Sequence, residues 1–198
     1  MGTPEFPQRK PLNGVVVPRW LSFLLSLVIF LVLIPIAHGV VPWAISSLMP
    51  RNGWTDGHPG LWNLLGLTPV VFGGAMLIWV LVVAIAETPE RVELALEVNH
   101  SIPIATPSFL MMRGPYAFTR NPMYVAELGL WLGWAIFFGS VGVLFGFVLG
   151  FVLVNFLVLP REERGLERRF GALYLQYKNE VPRWLGKRNS ISQHPARS

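Results

Sequence analysis

The sequence predicts an all-α membrane protein of about four transmembrane helices, the last two a helical hairpin, followed by a cytosolic amphipathic C-terminal helix. Three observations predict this. First, 53% of the 198 residues are hydrophobic and only 14% are charged, with a mean hydropathy of +0.49, whereas a soluble domain carries about 25% charge. Second, the apolar residues gather into runs near the length of about 20 that a spanning helix requires. Third, the basic residues segregate to one side of a four-span arrangement.

The first run extends from Trp20 to about Ile36 and past Pro35 towards Met49. It is long for a signal-peptide core and lacks a small-residue cleavage site, so it reads as a retained helix. The second run covers Leu61 to Ala86. The third and fourth, Met123 to Phe138 and Val141 to Leu159, are separated only by Gly139-Ser140, which folds them into an antiparallel hairpin. With four spans, the N-terminus, the 87–121 loop and the C-terminal tail share a side. Of the 16 Lys and Arg residues only Arg51 then falls opposite, and the positive-inside rule puts the basic side in the cytoplasm. A multi-pass protein with cytoplasmic termini follows.

Two further helices are expected on that side. Thr88-Pro89 supplies a cap and a first helical position for Glu90 to Glu97. Beyond Pro160, Leu166, Phe170, Leu173, Tyr174 and Tyr177 recur at helical spacing, with Arg164, Arg168 and Arg169 off that stripe. The tail from residue 186 is basic, polar and expected to be disordered. Met1-Gly-Thr-Pro-Glu-Phe6 resembles a cloning remnant, and Phe6 stands where a myristoylation signal needs Ser or Thr.

Several function classes are excluded. There are no cysteines, hence no disulfide, thiolate metal site or cysteine nucleophile. The four histidines lack metal-ligand spacing, and phosphate-loop, nucleophile-elbow and zinc motifs are missing. The net charge of +5 does not point to nucleic acid, because the basic residues flank apolar spans.

Polarity concentrates in two clusters, Arg113 to Tyr124 and Pro160 to Glu163, with an almost uninterrupted apolar stretch between them. They can meet only if the chain crosses the membrane and returns. Asn121-Pro122 marks the start of the third span, whose amide groups and positive dipole end suit an anionic ligand. Arg120, Tyr124 and Glu127 share one helical face. Glu127 is the only acidic residue inside a span, which suggests either a functional carboxylate or an interfacial partner for an arginine. Adjacent Glu162 and Glu163 can accept hydrogen bonds from ribose hydroxyls or an ammonium. Arg120 and Arg161 can grip a carboxylate, or snorkel to headgroups. Gly73-Gly74 reads as a close helix contact.

Gly114-Pro-Tyr116, Arg120-Asn-Pro-Met-Tyr124, the hairpin, Glu162-Glu163, Phe170-Gly171, Tyr174, Tyr177 and Val181-Pro-Arg183 together resemble the isoprenylcysteine carboxyl methyltransferase and phospholipid methyltransferase families. The resemblance covers about residues 110–185. It implies an integral membrane enzyme using S-adenosylmethionine, with Tyr116, Arg120, Asn121, Pro122, Tyr124, Glu162 and Glu163 at the cofactor and Arg120, Glu127 and Arg161 as catalytic candidates. The expected acceptor is a lipid or other lipophilic molecule bearing a carboxylate or an amine. Asn121 departs from the His usual in carboxyl methyltransferases, and Asn-Pro-Met-Tyr is nearer the phospholipid N-methyltransferase form. Three regions follow: 1–110 with two spans and a cytosolic loop, 111–185 as the cofactor-binding region, and 186–198 as tail. The rival reading is a non-enzymatic membrane carrier or assembly factor.

Overall fold

The structure, a computed structural model, describes residues 14–88, 91–96, 105–106 and 109–186; the expected disordered tail lies, apart from Gly186, outside the described residues. Helices dominate: α1 (Arg19–Ser47), α2 (Leu61–Glu87), α3 (Pro122–Phe138), α4 (Val141–Phe170) and α5 (Ala172–Glu180). Helices α1, α2 and α4 are each long and apolar enough to cross a membrane, while α3 is a shorter apolar helix of 17 residues. At 1.5 Å per residue, α3 reaches about 25 Å, near the lower limit for a span.

Prolines set the shape of the long helices. Pro35, Pro42 and Pro160 lie inside α1 or α4, and each is preceded by a π-helical turn, at Ile29–Leu33, Ile36–Val40 and Val154–Val158. A proline ring clashes with the carbonyl four residues back. That carbonyl belongs to Leu31, His38 and Phe156, the middle residue of each π turn. Widening the turn relieves the clash and keeps the backbone bonded where no water can substitute. Helix α4 therefore runs unbroken past Pro160, where the sequence suggested a boundary, and stops at Gly171 (φ +53°).

The most extensive packing joins α2 to α3. Gly66 and Gly73, seven residues apart on α2, meet Gly133 and Ala126, seven apart on α3, as antiparallel helices require. A Cβ at Gly73 would stand 2.6 Å from the Ala126 carbonyl oxygen, and one at Gly133 would stand 2.7 Å from that of Gly66. Small residues thus let the backbones touch, as expected for Gly73; Gly74 faces open space. Ile34 of α1 closes a core with Met76, Leu77, Ala126 and Leu130. Leu31, Ile78, Phe145 and Phe156 point outward, forming a surface suited to lipid.

The segment expected to be helical after Thr88 differs. Arg91–Leu96 is a strand (β4) between β1 (Gly14–Pro18) and β5 (Ala105–Thr106) in a small antiparallel sheet. Arg91-Val-Glu-Leu alternates with period two, and Val15-Val16-Val17 supplies a β-branched partner from far along the chain.

At the far end of α3, a hairpin of β2 (Trp54–Thr55) and β3 (His58–Pro59) is tied to the α3–α4 turn. Asn52 donates to Gly139 O at 2.9 Å, Trp54 Nε1 to Phe137 O at 2.9 Å, and buried Asn63 Nδ2 to Asn52 O and Ile136 O, both at 3.1 Å. Gly139 adopts φ +57°. Arg51 sits 4.9 Å from the Trp54 ring centroid and donates to Ser46 and Ser47. Replacing Asn63 with Ala leaves two carbonyls short of a donor, so thermal unfolding in detergent should show a loss of about 1–3 kcal/mol. An unchanged midpoint would make this knot dispensable.

Candidate functional site

The hairpin brings the two polar clusters together. Between α3's N-terminus, α4 and α5 lies a cavity of about 290 Å³ lined by Tyr116, Arg120, Asn121, Pro122, Tyr124, Glu162 and Glu163, with Phe109, Leu110, Met111, Met123, Leu166, Tyr174 and Tyr177. All seven residues expected at a cofactor are on its wall.

Their roles divide. Glu163 is buried, and its carboxylate gathers three cations. Arg183 binds it through both arms, Nε to Oε1 at 2.9 Å and Nη2 to Oε2 at 2.7 Å. Arg120 Nη1 is 3.1 Å from Oε1, and Lys178 Nζ is 3.7 Å from Oε2 and 2.6 Å from Glu167. An ion this well surrounded serves the fold: Glu163 fastens α4 to α3's start, to α5 and to the segment after it. Glu163 thus has a structural part beside its place on the cavity wall.

Glu162, one residue earlier, accepts from the Tyr124 hydroxyl at 2.6 Å, joining α4 to the first turn of α3. Arg120 is nearly enclosed, with 9% of its side chain exposed. Its Nη1 approaches Glu163 but its N–H does not point along the contact, so Nε and Nη1 are buried without a hydrogen-bond partner among the described residues. Two cationic donors on a cavity wall suit an anionic guest.

Asn121 occupies the cap position of α3, but its side chain makes no capping bond. It donates instead to Arg183 O at 2.9 Å, beside Thr119 Oγ1 to Arg183 O at 3.1 Å and Arg120 N to Pro182 O at 3.0 Å. Trp184 Nε1 donates to Asn155 at 3.1 Å and packs on Phe151. Residues 181–184 therefore latch α3's start to α4. Tyr174, Tyr177 and Val181 form the buried cluster behind the latch, as the helical stripe predicts, except that Leu173 faces out. Tyr177 donates to Tyr116 O at 2.7 Å.

Two catalytic candidates lie off the wall. Arg161 turns back to Leu157 O at 3.1 Å, and Glu127 stands deeper along α3, with His38 Nε2 3.9 Å from its Oε2. Arg183, Tyr174, Tyr177 and His38 are not among the site residues that the sequence suggests. Arg183 and the tyrosines were visible only as parts of the ordered motif set, and His38 carried no signal beyond Pro42 four residues later. Among the described residues no cluster of acidic and imidazole groups could hold a metal ion.

A predominantly helical chain, with helices long and apolar enough to cross a membrane and a cavity bearing charged groups between its last helices, defines an integral membrane protein. The chain belongs to the phospholipid methyltransferase family, whose profile matches residues 69–172; it is an integral membrane methyltransferase. The match begins in α2, well before the part that carries the motifs, and takes in the α2–α3 seam. An uncharacterized protein of Haemophilus influenzae is 35% identical over 63 residues, 32% of this chain and all of the relative. No solved structure gives a significant match.

Burial pushes Tyr116 up to about 12, with Glu162 and Glu87 adding to it; burial is also the largest cause raising Tyr174 and Tyr177. These hydroxyls stay neutral, and Tyr177 keeps the proton it donates to Tyr116 O. Tyr116 favours the fold fully below its ordinary value near 10, and that contribution is lost as pH rises through about 12. Phenolate absorbance should therefore stay low at pH 10 and grow only with unfolding; a phenolate signal in folded protein near pH 10 contradicts this burial. Glu163→Gln strips three cations of their shared partner and should destabilise by about 3–5 kcal/mol, seen as a lowered thermal midpoint. Full retention would remove Glu163 from the framework.

Proposed function

We propose that the chain transfers the methyl group of S-adenosylmethionine to a lipophilic acceptor, with the cofactor in the cavity between α3, α4 and α5. The observation that carries this is Arg120: two buried donors without a hydrogen-bond partner, on a wall shared with Glu162 and Tyr124. The residues fit the cofactor. Arg120 and the amide end of α3 match the carboxylate of its amino-acid part. Glu162 matches an ammonium or ribose hydroxyl, and the aromatic and methionine side chains match the adenine and the sulfur. The bound cofactor supplies an electrophilic methyl on a sulfonium.

The protein's own task is alignment and exclusion of water. Glu163 and the 181–184 latch hold Arg120 in place, and Tyr124 fixes the Glu162 carboxylate. The charge distribution favours a cytoplasmic site and cytoplasmic termini, with the acceptor arriving sideways from the bilayer. Arg161, bonded to its own helix, is given no part.

Titration calorimetry with S-adenosylhomocysteine tests this reading. The wild-type protein should bind, and Glu162→Gln, which keeps a hydrogen-bond acceptor but loses the charge, should bind about tenfold more weakly or worse. Absence of binding by folded wild-type protein would sink the assignment. Incubation with labelled S-adenosylmethionine and a native lipid extract would then identify the product.

A further inference from the structure

Helices α1 and α2 meet deep in the bundle, where Ile34 packs with Met76 and Leu77 and Phe30 lies against the same cluster. Towards the end that bears the cofactor cavity they part, and the wedge between them is a second, larger cavity of about 480 Å³. Its walls are one face of α1, with Arg19, Ser22 and Ser26, and the end of α2, with Ala84, Ile85 and the following Thr88. It shares no lining residue with the cofactor cavity. Arg19 spans the wedge, its Nη2 donating to Ile85 O at 2.9 Å, and the pairing of Pro18 with Arg91 lies at the same end. Trp20 and Phe23 also line it and stay exposed, which leaves an edge facing the bilayer.

Three features define what fits there. Helix α1 begins without a side-chain cap and with no acidic residue in its first turn. Its first amides and positive dipole end, with the Arg19 guanidinium beside them, favour an anion; one of the five N–H donors of Arg19 goes to Ile85 O. Next, the Ser22 hydroxyl oxygen is buried with no hydrogen-bond partner among the described residues. Ser26 and Thr88 donate back to the carbonyls four residues earlier, Ser22 O and Ala84 O, and Ser22 makes no such bond. A hydroxyl turned to hydrocarbon is costly until it finds an acceptor. Ser22 lies one turn, about 4.5 Å, deeper than Arg19, as a lipid's ester carbonyls lie below its phosphate. Finally, no carboxylate lines the wedge; Glu87, at that end of α2, acts electrostatically on Tyr116. A zwitterionic head would bring its ammonium towards Arg19 with nothing to receive it.

We propose that the wedge is the site of a resident anionic phospholipid that carries no amine. Its phosphate sits against the start of α1 and Arg19, and an ester carbonyl accepts from Ser22. An acyl chain runs between α1 and α2, past Phe23 and Ser26 towards Ile34. This lipid lies outside the cofactor cavity and is not the methyl acceptor. Its part is to fill the gap between two spans and to join the start of α1 to the end of α2, as hydrocarbon does where side chains leave a void in a bilayer. The site goes beyond the methyltransferase reading and does not depend on it.

The test uses the full chain in a neutral detergent, with native mass spectrometry to count retained lipids and circular dichroism to follow thermal unfolding. The probes are dioleoylphosphatidylglycerol, dioleoylphosphatidylcholine and inorganic phosphate. One phosphatidylglycerol per chain should be retained and should raise the midpoint. Phosphatidylcholine should bind about tenfold more weakly, and phosphate alone should leave the midpoint where it was. Equal affinity for the two lipids, or full stabilisation by phosphate alone, would overturn the proposal. Arg19→Gln should weaken phosphatidylglycerol binding about tenfold, whereas Arg19→Lys, which keeps the charge, should stay within about threefold of the wild type. Unchanged affinity in Arg19→Gln would refute the phosphate contact. Ala84→Trp fills the wedge and should abolish retention; a lipid still held by that variant with a wild-type spectrum would put the site elsewhere. Ser22→Ala, which removes one atom and no packing, decides the location even if Ala84→Trp fails to fold. It should weaken binding about fivefold, and an unaltered affinity would contradict the site.

Discussion

The buried carboxylate of Glu163 is the constraint on which the site depends. Enclosing an ionised carboxylate is expensive, and only close, well-directed partners offset the cost. Here the partners come from three other places in the chain: Arg120 before α3, Lys178 on α5, and Arg183 beyond it. Held together, they force the two ends of the hairpin and the C-terminal segment into one body. Backbone bonds from Arg120 to Pro182 and side-chain bonds from Thr119 and Asn121 to Arg183 repeat the same connection without charge. Adjacent residues thus do different work: Glu163 faces the cations and Glu162 faces Tyr124 and the cavity.

The membrane-embedded part obeys a simpler rule. Prolines placed inside long helices open π turns, and the backbone stays satisfied. These turns alter which residue faces a neighbour, and one of them carries His38. Elsewhere glycine and alanine spaced seven apart bring α2 against α3. The seam fixes α3, and therefore the depth of Glu127 relative to Arg120, independently of the ionic cluster at its end.

Much of this was legible in the sequence because it depends on local pattern. Apolar runs gave the helices, the Gly139-Ser140 turn gave the hairpin, and Asn121-Pro122 marked the first turn of α3. The cavity wall was legible from the order of its motifs. What escaped depends on distant partners. Arg91–Leu96 has residues compatible with a helix, but its pairing with Gly14–Pro18 decides otherwise. Asn121 has a capping side chain, yet the Arg183 carbonyl competes for it. Glu162 and Glu163 look equivalent as letters, and only the positions of Arg120, Lys178 and Arg183 on one side and Tyr124 on the other separate them.

The central claim is that the enclosed Arg120, Tyr124 and Glu162 form the wall against which the cofactor lies. The most direct measurement is an experimentally determined structure of the chain in lipid with S-adenosylhomocysteine. The account predicts ligand density between the start of α3 and Glu162, with the amino-acid carboxylate on Arg120 Nε or Nη1. Density at another surface, or Arg120 directed away from the ligand, would contradict it.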